Sequence, residues 1–377
     1  VTDALLAERL LALIAAEQTK VGFPGWSAPL PAVLTAFFAY ELNNYGDPGT
    51  DPVFAWHTKD LERELVGELA DVFGAAPDQR WGYVTAGGGE GVLAGLWEAR
   101  RRHPGARVYH STAAHASVAR AADLLRMEAV AVPAGARGEM DYPALERLVR
   151  GRPAIVLATV GTTLTEAVDD VPRIRAALHR AGATGGYVHA DAALAGLPLA
   201  LASAGPPPFG LAGAGADSVS ISGHKFLGVP FPCGVYLARR GPGVAADTGD
   251  LMCGAPDALS SSRSGHAALI LWYLLRRHGR DGLRELADRG RSTAEYAERA
   301  LTAAGWPAWR AHPQARTVVF ATPPHPVPLD WPMPSVGGLS HIVCTPGVTR
   351  ARIDLFVTAV AEAAHAQPRS ELVCQPN

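Results

Sequence analysis

Between Trp81 and Leu237, short apolar runs alternate with stretches patterned for helices, and this alternation constrains the fold more than any other feature. It is the signature of a mostly parallel sheet, because parallel neighbours need a crossover between them. The expected strands are Gly82–Thr85, Arg107–His110, Glu128–Val132, Ala154–Thr159, Tyr187–Asp191, Ser218–Ser222 and Gly234–Ala238. Too few residues separate the last two for a helical crossover, so one of them should run antiparallel. Helices are expected over Glu90–Arg101, His115–Met127, Tyr142–Arg150 and Val171–Ala181.

The flanks read differently. Residues 3–19 are patterned as an amphipathic helix with Leu6, Leu10, Leu13 and Ile14 on one face. Phe23-Pro24-Gly25-Trp26, Pro29 and Pro31 then imply an extended arm. A helix near Pro31–Leu42, a polar loop Asn43–Pro48 and a helix near Thr58–Phe73 follow. After Arg240 come a loop, Asp250–Ser264, and helices at His266–Arg277 and Gly282–Ala304. Strands at Thr317–Ala321 and His341–Cys344 and a last helix, Arg350–Ala364, complete an α+β tail. The expected organisation is an N-terminal arm (1–50), a large domain (51–265) and a small C-terminal domain (266–377).

With 48% hydrophobic and 19% charged residues in 377, the chain has ample material for a core. A net charge of −2 gives no electrostatic case for nucleic acid or an anionic membrane. No segment approaches the roughly 20 apolar residues of a membrane span. Val1–Gln18 carries Asp3, Glu8, Arg9 and Glu17, unlike a signal peptide. Cys233, Cys253, Cys344 and Cys374 are scattered without zinc or disulfide spacing, so no metal site is expected and the chain reads as cytoplasmic.

The chemistry is carried by Ser222-Gly223-His224-Lys225, 34 residues after Asp191 in the run His189–Ala193. A lysine in a strand-end turn and an acid closing another strand suit pyridoxal 5′-phosphate (PLP). The amine holds the aldehyde as a Schiff base, and the carboxylate keeps the pyridine nitrogen protonated. An acid ending an apolar run is costly unless paired, and a pyridinium is a suitable partner. Thr85-Ala86-Gly87-Gly88-Gly89-Glu90-Gly91 follows a strand and opens a helix, as a phosphate cradle would. It lacks the third glycine of a dinucleotide fingerprint and the acidic residue about twenty positions on. His115, at the next helix start, can cap that helix or stack on a pyridine ring. Thr162 and Thr163 follow a strand end and are turn residues or crevice hydroxyls. Ala193 is small enough to lie under a flat ring, and Ser222 and His224 can donate to phosphate. Glu166, Asp169 and Asp170 are expected to serve the N-terminus of the next helix.

At these residues the chain resembles the group II PLP-dependent amino-acid decarboxylases, in the branch of bacterial histidine and plant serine decarboxylases. The likeness spans roughly residues 20–360. It rests on Asn44–Pro48, Thr85–Gly91, His115–Val118, Gly161–Thr163, Ala167–Asp170, His189–Ala193, Ser222–Gly228, Pro232–Val235 and Ser262–Ala267. The resemblance implies PLP fold-type I: an α/β domain with a mostly parallel seven-stranded sheet, helices on both faces, and a small α+β C-terminal domain. It implies that Lys225 is the Schiff-base lysine, Asp191 the ring-nitrogen partner and His115 the stacking imidazole. Ala193 would underlie the ring, Thr163 would stand near cofactor and substrate carboxylate, and Gly88, Gly89, Ser222 and His224 would bind phosphate. It further implies a homodimer with the active site at the interface.

This sequence departs from the branch at Ala86, Gly89 and Val92 of the phosphate loop, at Ala116, and at Asp250-Leu251-Met252. The expected reaction is α-decarboxylation of an amino acid or modified amino acid to an amine and carbon dioxide. Because Gly25, Trp26, Ala116 and Leu251 offer few hydrogen-bond partners, a substrate other than histidine or serine is expected. The alternatives are decarboxylative oxidative deamination or another lyase or aldol-type reaction on the same cofactor, and a degenerate homologue that binds PLP without turnover.

Overall fold

The computed structural model describes residues 2–239 and 258–366. These form two compact units. One holds the described residues of Trp26–Thr163 and Ala167–Ala287; the other holds those of Val1–Gly25, Leu164–Glu166 and Asp288–Asn377.

The first unit is built on seven strands: β1 (Arg80–Thr85), β2 (Arg107–Ser111), β3 (Ala129–Val132), β4 (Ala154–Thr159), β5 (Gly186–Asp191), β6 (Ser218–Ser222) and β7 (Gly234–Arg239). Their order is β1-β7-β6-β5-β4-β2-β3. The expected antiparallel strand is β7, which pairs in that sense with both β1 and β6. The pairs β6–β5, β5–β4, β4–β2 and β2–β3 are parallel. It follows that β1 points the same way as the other five, so six carboxyl ends share one edge of the sheet.

Strand alternation sends successive side chains to opposite faces. On β4, Ile155 and Leu157 pack with Leu96 and Val118 of the helices Gly88–Arg102 and Ser117–Leu124. Val156 and Ala158 belong to the opposite core, with Leu65, Leu145, Ile174 and Leu197 from helices on the other face. All four β4 residues are fully buried. Burying a side chain of Leu or Ile size contributes about 1.5–3 kcal/mol, so both faces are fixed strongly. The helix Gly196–Ala202 was not expected from sequence; its run GLPLALA is apolar throughout and carries no helical period.

In the second unit, β8 (Ala308–Trp309), β9 (Thr317–Ala321), β10 (Ser335–Val336) and β11 (Leu339–Val343) form an antiparallel sheet in the order β10-β11-β9-β8. Val318, Phe320 and Ile342 pack with Ile353, Phe356 and Val360 of the last helix. The two long helices expected around residues 266–304 appear as one helical run, Gly265–Ala303, interrupted at Gly279 (φ 58°, ψ −179°).

Two expectations need correction. Asp170 does cap the helix Val171–Arg180, accepting from the Arg173 N–H at 2.9 Å. Asp169 instead is buried and accepts from the Thr159 and Met140 N–H groups, each at 2.8 Å. Glu166 is buried too: it accepts from the Thr317 hydroxyl at 2.6 Å and the Arg316 backbone and guanidinium at 2.9 and 3.2 Å. Both carboxylates are held by groups distant in sequence, which outcompete a local helix end. Asp250, Leu251, Met252 and Cys253 lie outside the described residues.

Candidate active site

The carboxyl edge of the large sheet carries the residues expected to hold the cofactor. Gly88 and Gly89 follow β1, His115 follows β2, Thr163 follows β4, Asp191 ends β5, and Ser222, His224 and Lys225 follow β6. A crevice at this edge is where open α/β sheets bind ligands. Register aligns the neighbours: Asp191 lies opposite Thr159 on β4 and Ser220 on β6.

Asp191 is buried, at 6% exposure, and its Oδ1 accepts from the Ala193 N–H at 3.2 Å. Burial pushes its carboxyl up from the ordinary range, opposed by Lys225, the Ala193 N–H and His115. Burial likewise pushes the Lys225 amine down, opposed by Asp191. The two groups are thus electrostatic partners at the ends of adjacent strands. A carboxylate that needs a cation and an amine with depressed basicity are what a pyridinium partner and a carbonyl-binding nucleophile require.

The lysine turn is held tightly. Gly223 receives from Val229 N–H at 3.2 Å and donates to the Cys233 carbonyl at 2.8 Å. His224 Nδ1 lies 3.1 Å from the Cys233 carbonyl and 3.3 Å from its nitrogen, which leaves Nε2 for a ligand. Burial pushes the His224 ring below its ordinary value. Trp26 Nε1 donates to the Phe226 carbonyl at 3.0 Å, and Ala28 N–H to Gly228 at 2.8 Å. Gly228 has φ +72°, and a methyl there would stand 2.6 Å from the indole, so only glycine lets Trp26 close on the turn.

Across the crevice, the glycine turn opens the helix Gly88–Arg102. A methyl on Gly88 would stand 2.8 Å from Ser222 Oγ and 3.1 Å from Ala193 Cβ. Three residues expected to contact the cofactor therefore converge, and their close approach requires glycine at 88. Glu90 does not intrude: its carboxylate accepts from the Ala86 N–H at 2.7 Å and the Ser260 hydroxyl at 3.0 Å. His115 is exposed, with Nδ1 2.9 Å from Ser117 Oγ and 3.2 Å from Ser117 N. The two threonines separate by role. Thr162 is buried and its Oγ1 accepts from Ala167 N–H at 3.0 Å, whereas Thr163 is exposed at the crevice edge. A flat ring carrying a phosphate and a basic nitrogen fits this donor set.

Sequence reasoning missed the support beneath the site. Glu62, buried in the helix Lys59–Val72, accepts from Val84 N–H at 2.7 Å, Asn44 Nδ2 at 2.9 Å and Arg263 at 3.1 Å. Lys59, also buried, donates to the carbonyls of Tyr45, Asp47 and Thr50. The polar loop 43–48 is thereby an internal structure, and the signal for it was a pair of charges on the apolar face of that helix.

Comparison with known proteins gives the family. Residues 105–322 match the pyridoxal-dependent decarboxylase conserved domain. The chain is 37% identical to a histidine decarboxylase of Mesorhizobium japonicum, over 87% of this chain and 89% of that one. It is 33% identical to serine decarboxylase 2 of Oryza sativa, over 87% of this chain and 71% of that one. An L-methionine decarboxylase from Streptomyces sp. 590 superposes with a TM-score of 0.83 at 23% identity, covering 95% of this chain and 94% of that one. A Lactobacillus brevis glutamate decarboxylase superposes with a TM-score of 0.76 at 18% identity, covering 99% of this chain and 93% of that one. Both structures share the fold, PLP fold-type I. On the sequence match and the shared fold, the chain belongs to the pyridoxal-dependent decarboxylase family and is a PLP-dependent amino-acid decarboxylase.

Proposed function

We propose that decarboxylation takes place at the carboxyl edge of the large sheet, with Lys225, Asp191 and His115 as the catalytic residues. The observation that carries this assignment is the Asp191–Lys225 pair, each shifted by burial and stabilised by the other. PLP, when bound, supplies the electron sink for the bond that releases the carboxylate. Lys225 would hold the aldehyde through its amine, whose lowered basicity favours the nucleophilic form. Asp191 would keep a proton on the pyridine nitrogen, because a carboxylate buried this deeply is stabilised by a facing cation. His115 would stack on the ring, Ala193 would lie beneath it, and Thr163 would stand by the substrate carboxylate. Gly88, Gly89, Ser222 and His224 would bind the phosphate.

For the substrate we favour an amino acid other than histidine or serine. Trp26 supports this reading: its one polar atom is committed to the Phe226 carbonyl, which leaves only indole carbon surface beside the lysine turn. A buried imidazole or hydroxyl left without a partner there would cost about 1–3 kcal/mol, or roughly 5- to 150-fold in discrimination. The identity of 37% to a histidine decarboxylase favours a second reading, with histidine as substrate. A screen of amino acids for released carbon dioxide and amine decides between them. The highest kcat/KM with histidine or serine would overturn the first reading; aldehyde and peroxide in place of amine would point to the oxidative variant of the reaction.

We further place the chain in a cytoplasmic homodimer with its site at the interface. The helix Thr2–Gln18 supports the dimer, since it buries no residue and leaves Leu6, Leu10 and Leu13 at 62%, 58% and 67% exposure. Among the described residues no helix is long and apolar enough to cross a membrane.

A further inference from the structure

Two helix N-termini, not one, meet at the glycine turn. The helix Gly88–Arg102 begins in it, and the helix Ser117–Leu124 begins alongside: a methyl on Gly89 would stand 3.9 Å from Ser117 Cβ and meet no other atom of the described residues within 4 Å. Side-chain donors are scarce here. Ser222 supplies a hydroxyl on the Gly88 side, while Gly89 supplies none on the other. Among the described residues the side chain that faces that gap is Ser117, which is half-buried and carries a hydroxyl.

The Ser117 hydroxyl is also free to change partner. It lies 2.9 Å from His115 Nδ1, but the same nitrogen receives the Ser117 backbone N–H at 3.2 Å. An imidazole nitrogen has one lone pair in the ring plane, so one donor satisfies it. The backbone N–H can hold His115 by itself while the hydroxyl proton turns to an anion. Such a bond is charge-assisted and stronger than the one it replaces.

We propose that Ser117 is a further cofactor-phosphate ligand, acting from the Gly89 side of the turn opposite Ser222. This rests on the reading that the Gly88–Gly89 turn is the phosphate cradle, and the test separates the two. The full-length apoenzyme is titrated with PLP and, separately, with pyridoxal, which lacks the phosphate; the readout is the ratio of their Kd values. Ser117→Ala should weaken PLP by about 10- to 100-fold, the range for a hydrogen bond to a charged group, and leave pyridoxal within about twofold. Ser117→Thr should retain the affinity. Gly89→Ser in the Ser117→Ala background should restore most of it, because that side chain has open space and reaches the same spot. Ser222→Ala is the control for the cradle. If Ser222→Ala leaves the ratio unchanged, the cradle reading fails and this proposal with it. If Ser222→Ala raises the Kd of PLP relative to that of pyridoxal but Ser117→Ala does not, or if Ser117→Ala weakens both ligands equally, the role assigned to Ser117 is overturned.

Discussion

Arg263→Met is the substitution whose cost the structure defines most closely. The Arg263 and Glu62 side chains are 2% and 1% exposed, with Nη2 and Oε2 3.1 Å apart. Arg263 Nη1 also donates to the Gly46 carbonyl at 2.8 Å. Met fills much of the volume but leaves the Glu62 carboxylate buried, with only the Val84 N–H and the Asn44 amide facing it. Removing one partner of a buried pair costs about 3–5 kcal/mol, because the survivor is uncompensated. With a urea slope of about 3 kcal/mol per M for a unit of this size, the unfolding midpoint should fall by about 1–1.7 M. Circular dichroism in urea, on wild type and variant at matched PLP, measures it. The double variant Glu62→Met with Arg263→Met removes the lone charge and should lose less than the two single losses added together. A single-variant midpoint within about 0.3 M of wild type would show that this pair is solvated and that the support beneath β1 is misdescribed.

Asp191→Asn should retain cofactor while turnover falls by about 10²-fold or more, the scale of losing one preorganised charge; near-normal kcat would remove Asp191 from the catalytic set. His189, fully buried, bridges Ser218 Oγ at 2.7 Å and Ser220 Oγ at 3.1 Å, and burial pushes its ring down to about 3. Its folded pKa lies below the unfolded value of about 6.5, so the unfolded chain binds the proton first. Stability from His189 is therefore full above pH about 6.5 and is lost as pH falls towards about 3. His189→Gln should flatten the dependence of the urea midpoint over that window, and an unchanged slope would assign the acid sensitivity to other groups.

What sequence made legible follows from where physics is local. β4 has the expected bounds because an uninterrupted apolar run fits a strand buried on both faces. Asp191 could be read because a charge ending such a run needs a reason, and Lys225 because it stands in a strand-end turn downstream of that acid. Where partners are distant, the reading failed: nothing near Glu166 announces Arg316, 150 residues away, and nothing near Asn44 announces Arg263. The apolar face of the first helix was legible as a pattern, and it is exposed in the single chain, but periodicity does not say what covers it. Of the two adjacent threonines, only the structure shows that Thr162 is consumed by its own turn.

The central claim is that Lys225 carries the cofactor, and the chain offers a clean test because it has only three lysines, Lys20, Lys59 and Lys225. Lys20 is paired with Glu17 at 3.1 Å, and Lys59 is buried among three carbonyls. The holoenzyme should be yellow, and borohydride should fix one cofactor per chain, found by peptide mass spectrometry on Lys225 and absent from Lys225→Ala. A colourless protein that takes up no added PLP, or an adduct on Lys20 or Lys59 with Lys225 unmodified, would contradict the account.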